Sequence, residues 1–171
     1  LLHVAAKAGE NAPVKQQLAI AESIASVASK VTSVEQKQRI VDFITHEEKV
    51  IAEAVQFHAE IIVKLKERHD NEPENREQIE QMLKRNKHTR SAWMSVLEKR
   101  LEIVTSLAEN ALESADPFQA QFANKILSDM LERTRSDETD PDITAEIISN
   151  ITPFIEKGVQ SVIQLFFSEL G

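Results

Sequence analysis

A single turn limits what this chain can become. Asp70-Asn71-Glu72-Pro73 separates two stretches in which apolar residues recur at helical spacing, from Val34 to Leu65 before it and from Ile79 to Leu112 after it. Apolar residues three and four apart line one face of a helix, and such a face must be buried against another. Proline disfavours helix in the residue before it, so the first helix should stop near Asp70. At about 1.5 Å per residue, a helix of about 37 residues spans roughly 55 Å. The expected fold is all-α: an elongated antiparallel bundle of five or six helices, built on a long helical hairpin of residues 34–70 and 75–115.

Composition points the same way. Three glycines and five prolines are too few for a sheet-rich fold with many turns. At 171 residues the chain suits a single helical domain over residues 1–171, large enough for its own core. Residues 1–31 read as a small-residue-rich N-terminal extension. The net charge of -8 repels nucleic acid and anionic lipid, so neither is the expected partner. There is no cysteine, which excludes disulfides, thiolate catalysis and cysteine–zinc sites. No apolar run is long enough to span a bilayer. The chain begins at Leu1 rather than Met, which fits removal of a signal, a tag or a neighbouring domain. Cytoplasm is the expected compartment, with secretion or translocation left open.

The helix ends are marked in the sequence. Pro13 suits the first turn of a helix over residues 13–31, after a short helix near residues 2–8. Ser33 followed by Gln36 has the spacing of a capping box, and Asn75 with Gln78 repeats it. Asp116-Pro117 caps and opens the next helix. The segment Ser136 to Pro141 reads as a loop, and its acids Asp137, Glu138, Asp140 and Asp142 read as solvated and helix-starting rather than as a calcium site, which needs a glycine turn. A last helix covers residues 141–170, kinked or split at Thr152-Pro153. Leu2-His3-Val4-Ala5-Ala6-Lys7-Ala8-Gly9, with Val14, Lys15 and Leu18, resembles part of an ankyrin repeat. That likeness covers about a tenth of the chain; no stacked neighbour follows, and such repeats need one. An alanine-rich helix pair is the expected structure there.

Few residues carry recognisable chemistry. A ferritin-like di-metal centre needs Glu-x-x-His, but Phe43, Val55, Lys66 and Arg85 precede the internal histidines by three. His46-Glu47-Glu48-Lys49-Val50 lacks the second histidine of a metalloprotease helix. No metal, no cofactor and no catalytic residue are therefore expected. The exception is His58, at the centre of the apolar stripe of its helix. Pairing the two long helices about residue 72 sets it opposite Asn86, with Arg90 one turn on and Trp93 beyond. His58, Asn86, Arg90 and Trp93 form either a hydrogen-bonded layer that fixes register, as buried polar groups do in coiled coils, or the lining of a ligand pocket. Lys84, Arg85, Lys87, His88 and Arg90 spread round the helix rather than forming one basic face. The C-terminal run is apolar on more than one side. Val162, Phe166, Phe167 and Leu170 cannot all turn inward, because successive residues point about 100° apart. Such a helix is either central to the bundle or part of an interface, and these four residues are the candidate protein interface.

The expected function is that of a non-enzymatic interaction module, an adaptor, regulator or effector-type chain that binds another protein or a second copy of itself through helix faces. One alternative is a ligand-sensing bundle with a pocket at His58, Asn86 and Arg90. A second is a helical enzyme, which would need several titratable groups converging in one cleft.

Overall fold

The computed structural model describes the backbone of residues 12–135 and 140–170 and the side chains of residues 13–135 and 140–156. Five α-helices follow in order: α1 (Ala12–Ala28), α2 (Val34–Asn71), α3 (Arg76–Leu112), α4 (Pro117–Thr134) and α5 (Pro141–Leu170). No strand occurs among the described residues. The chain is an all-α helical bundle, and the hairpin is α2 and α3. The short helix expected near residues 2–8 lies outside the described residues.

The turn between α2 and α3 is closed by local chemistry. Pro73–Asn75 forms a single 3-10 turn, and the Arg76 amide donates to Pro73 O. Arg68 donates to Glu72 through both Nε and Nη2, which ties the end of α2 to the turn. Across it, His69 Nε2 lies 2.9 Å from Glu80 Oε1, and Arg76 Nε donates to His69 O at 3.2 Å. At the start of α2, the Gln36 amide donates to Ser33 Oγ at 3.2 Å, as the capping-box spacing predicts.

The chain divides into two compact units. Of the described residues, the first contains 12–30 and 40–100, and the second 31–39, 101–135 and 140–170. In the first unit, Ile61 and Leu65 of α2 pack with Ile79, Met82 and Leu83 of α3 next to the turn. Ile44, Ile51 and Val55 continue the buried face of α2, and Val96 and Leu97 that of α3. In the second unit, α4 packs on α5. Phe122, Ile126 and Met130 are buried from one helix, and Ile143, Ile147, Ile151 and Phe154 from the other.

Two helix features bear directly on the sequence reading. Pro153 does not split α5, which runs through it as one helix. An interior proline costs about 3 kcal/mol relative to alanine. Burial of Ile151 before it and Phe154 after it holds both sides in the helix. Asp116 is the N-cap of α4, its carboxylate accepting from the Phe118 amide at 2.9 Å, with Pro117 in the first turn. Asp116→Ala should therefore destabilise the protein by about 1 kcal/mol. A thermal melt should show this as a midpoint roughly 2–4 °C lower; an unchanged midpoint would remove the cap from the account of where α4 begins.

Candidate functional site

The polar residues of the core decide whether the interior can do chemistry. His58 is 4% exposed and Asn86 is fully buried. Asn86 Nδ2 donates to Met82 O at 2.9 Å, which turns Oδ1 toward His58 Nδ1, 3.0 Å away. An amide oxygen only accepts, so the His58 proton sits on Nδ1. Burial pushes the His58 pKa below its ordinary value; the bond to Asn86 opposes this and the Arg90 charge adds to it. The Phe57 ring stands edge-on to the imidazole, with centroids 5.7 Å apart. The register expected from the sequence is thus present, and it makes a neutral histidine held by a neutral amide. Arg90 is near enough to act on it by charge, and Trp93 is half-buried.

Two further polar clusters were not legible as such. In the first unit, Arg100 is almost wholly buried, and its Nη2 donates to Glu47 Oε2 at 2.6 Å and to Gln17 Oε1 at 3.0 Å. Its Nε and Nη1 are buried without a hydrogen-bond partner. In the second unit, Lys37 is almost wholly buried, and its Nζ donates to Asn110 Oδ1 at 2.8 Å and Gln119 Oε1 at 2.9 Å. Gln119 Nε2 in turn donates to Thr32 O at 3.0 Å. These acceptors are neutral, and burial lowers the Lys37 pKa. Each cluster joins helices of one unit, the first leaving two guanidinium nitrogens without a hydrogen bond and the second donating on to the Thr32 carbonyl. None brings several titratable groups into an open cleft.

The surface is more informative than the interior. In the second unit a groove of about 620 Å³ opens between the start of α2 and α4, with Val34, Phe118 and Phe122 as its apolar part and Arg39, Gln121 and Lys125 beside them. In the first unit a groove of about 260 Å³ lies between Val14 and Leu18 of α1 and His88, Ala92 and Ser95 of α3. On α2, Phe43, Val50 and Phe57 are exposed by 48%, 63% and 45%. These three stand seven residues apart, so they form one stripe along the helix.

That stripe was readable in the sequence as an apolar period of seven, beside the core stripe of Ile44, Ile51, Val55 and His58. Large apolar residues on two sides of one helix were the signal. The expected interface of Val162, Phe166, Phe167 and Leu170 lies on α5, but those side chains fall outside the described residues. No cluster of three or more potential metal ligands occurs among the described residues, and no described helix is long and apolar enough to cross a membrane. No protein-family model matches this chain, and neither a curated protein nor a solved structure is similar to it.

Proposed function

We propose that this chain is a non-enzymatic interaction module that binds another macromolecule through a helix face, and that α2 carries the face. The supporting observation is the exposed stripe of Phe43, Val50 and Phe57. Single exposed apolar residues are ordinary on protein surfaces. Three large ones aligned over 14 residues, or about 21 Å of helix, are grouped on one face rather than scattered singly, and apolar residues so grouped mark contact sites. Each is already about half covered, so burying the rest contributes roughly 1 kcal/mol, about half of the full value. The interior favours this reading over a ligand sensor or an enzyme, since His58 Nδ1 and Asn86 Oδ1 bond to one another there.

Val50→Glu tests the proposal. The side chain is 63% exposed, so the melting temperature should barely move, with a stability change within about 0.5 kcal/mol. Proteins captured by the wild-type chain from cell extract should be lost with the variant. Equal recovery by both chains would refute a role for this face.

A further inference from the structure

The charges beside the stripe are one-sided. Of the five carboxylates in residues 42–60, Glu47 pairs with the buried Arg100 and Glu48 lies on the far side of the helix, which leaves Asp42, Glu53 and Glu60 beside the stripe with one lysine, Lys49. Asp42, Glu53 and Glu60 are exposed, and at about 100° per residue all three lie roughly 60–80° round the helix from Val50, on the same side. On the other side of the stripe α2 turns into the core with Ile51 and His58. A partner on the stripe therefore meets carboxylates along its open edge, with Lys49 as the single cation among them.

We propose that the α2 stripe docks a basic amphipathic helix of a partner protein, Phe43, Val50 and Phe57 meeting its apolar face and Asp42, Glu53 and Glu60 meeting its lysines and arginines. The proposal rests on the interaction-module reading and adds the partner's chemistry. Charge and packing disfavour the obvious alternative of a second copy: antiparallel self-pairing about Val50 brings Asp42 of one copy close to Glu60 of the other, and parallel pairing turns each acidic edge toward the flank of Ile51 and His58, which is already buried in the core. Like charges facing one another across an interface disfavour it and help to select a different partner. Helix-in-groove and helix-on-helix recognition uses anchors at this spacing, with flanking charge setting the partner.

The test uses the full chain and two synthetic helical peptides with identical leucine stripes, one flanked by lysines and one by glutamates. The basic peptide should bind at least about tenfold more tightly. Amide shifts by NMR should map its site to residues 43–60. Raising salt from about 50 mM to about 500 mM should weaken it several-fold, because exposed charge pairs are screened. Glu53→Lys with Glu60→Lys should reverse the preference, and both positions are exposed, so the fold is retained. Equal binding of both peptides at the stripe would overturn the basic partner and leave the interaction face standing. Binding of neither peptide at the stripe would overturn both. A concentration-dependent doubling of mass that Val50→Glu abolishes would identify a second copy as the occupant and refute the proposal.

Discussion

Glu47→Ala should lower the melting temperature by roughly 5–10 °C, whereas Arg100→Met should change it little. The asymmetry follows from where each charge sits. Arg100 is buried to 1% exposure, and Glu47 Oε2 at 2.6 Å is its only anionic hydrogen-bond partner among the described residues. Breaking a buried pair by removing one partner costs about 3–5 kcal/mol, because an uncompensated charge remains inside. The Glu47 side chain is 36% exposed, so water reaches the vacated position and the expected loss falls to about 2–3 kcal/mol. For a chain of this size each kcal/mol is about 2–4 °C. Removing the arginine instead leaves a half-exposed carboxylate that water can solvate. It also removes two buried nitrogens without partners, Nε and Nη1. Methionine fills much of the space and needs no hydrogen bond. Calorimetry of both single variants and the double variant would decide. A larger loss for Arg100→Met than for Glu47→Ala would show that the buried guanidinium contributes by more than its pairing with Glu47.

The hairpin was legible because period and punctuation agree. Ile44, Ile51, Val55, Ile62 and Leu65 recur on one face, and Pro73 disfavours helix in the residue before it. The His58–Asn86 layer followed from the same register, since antiparallel helices joined at residue 72 leave little freedom in what faces what. Lys37 and Arg100 were not legible. Long charged side chains normally reach water from partly buried positions. Whether they are instead sealed depends on segments far away in sequence, here Gln119 for Lys37 and Gln17 for Arg100. No periodicity encodes such a meeting. Phe43, Val50 and Phe57 illustrate a different limit. Their spacing is visible, but an apolar residue on a second helix side can be buried by a third helix or left to solvent, and only packing decides. The unbroken course of α5 through Pro153 is a further case in which tertiary burial outweighs a local rule.

Acidification from pH 7 to about pH 5 should destabilise the wild-type protein more than His58→Gln. In the folded state burial and the Arg90 charge hold the His58 pKa below its ordinary value, against the smaller opposing effect of the Asn86 bond. The unfolded chain therefore binds a proton at His58 at a pH where the folded chain does not. Protonation then favours unfolding, and stability falls as pH drops through the ordinary histidine range of about 6.5. The loss ends only below the folded-state pKa. One residue can contribute a slope of at most about 1.4 kcal/mol per pH unit in this window. Glutamine at position 58 is uncharged and carries an amide N–H that can donate to Asn86 Oδ1, so the layer can be kept while the titration is removed. Denaturant titrations of both proteins at several pH values would isolate the residue, because carboxylates and the exposed histidines His46 and His88 are common to both. Parallel pH profiles would mean that water reaches His58 or that a counter-charge compensates it, and the closed polar layer would then be wrong. A steeper wild-type profile would show that His58 is neutral and shielded between α2 and α3, as a hydrogen-bonded layer requires, and would leave the outer face of α2 as the place to look for a partner.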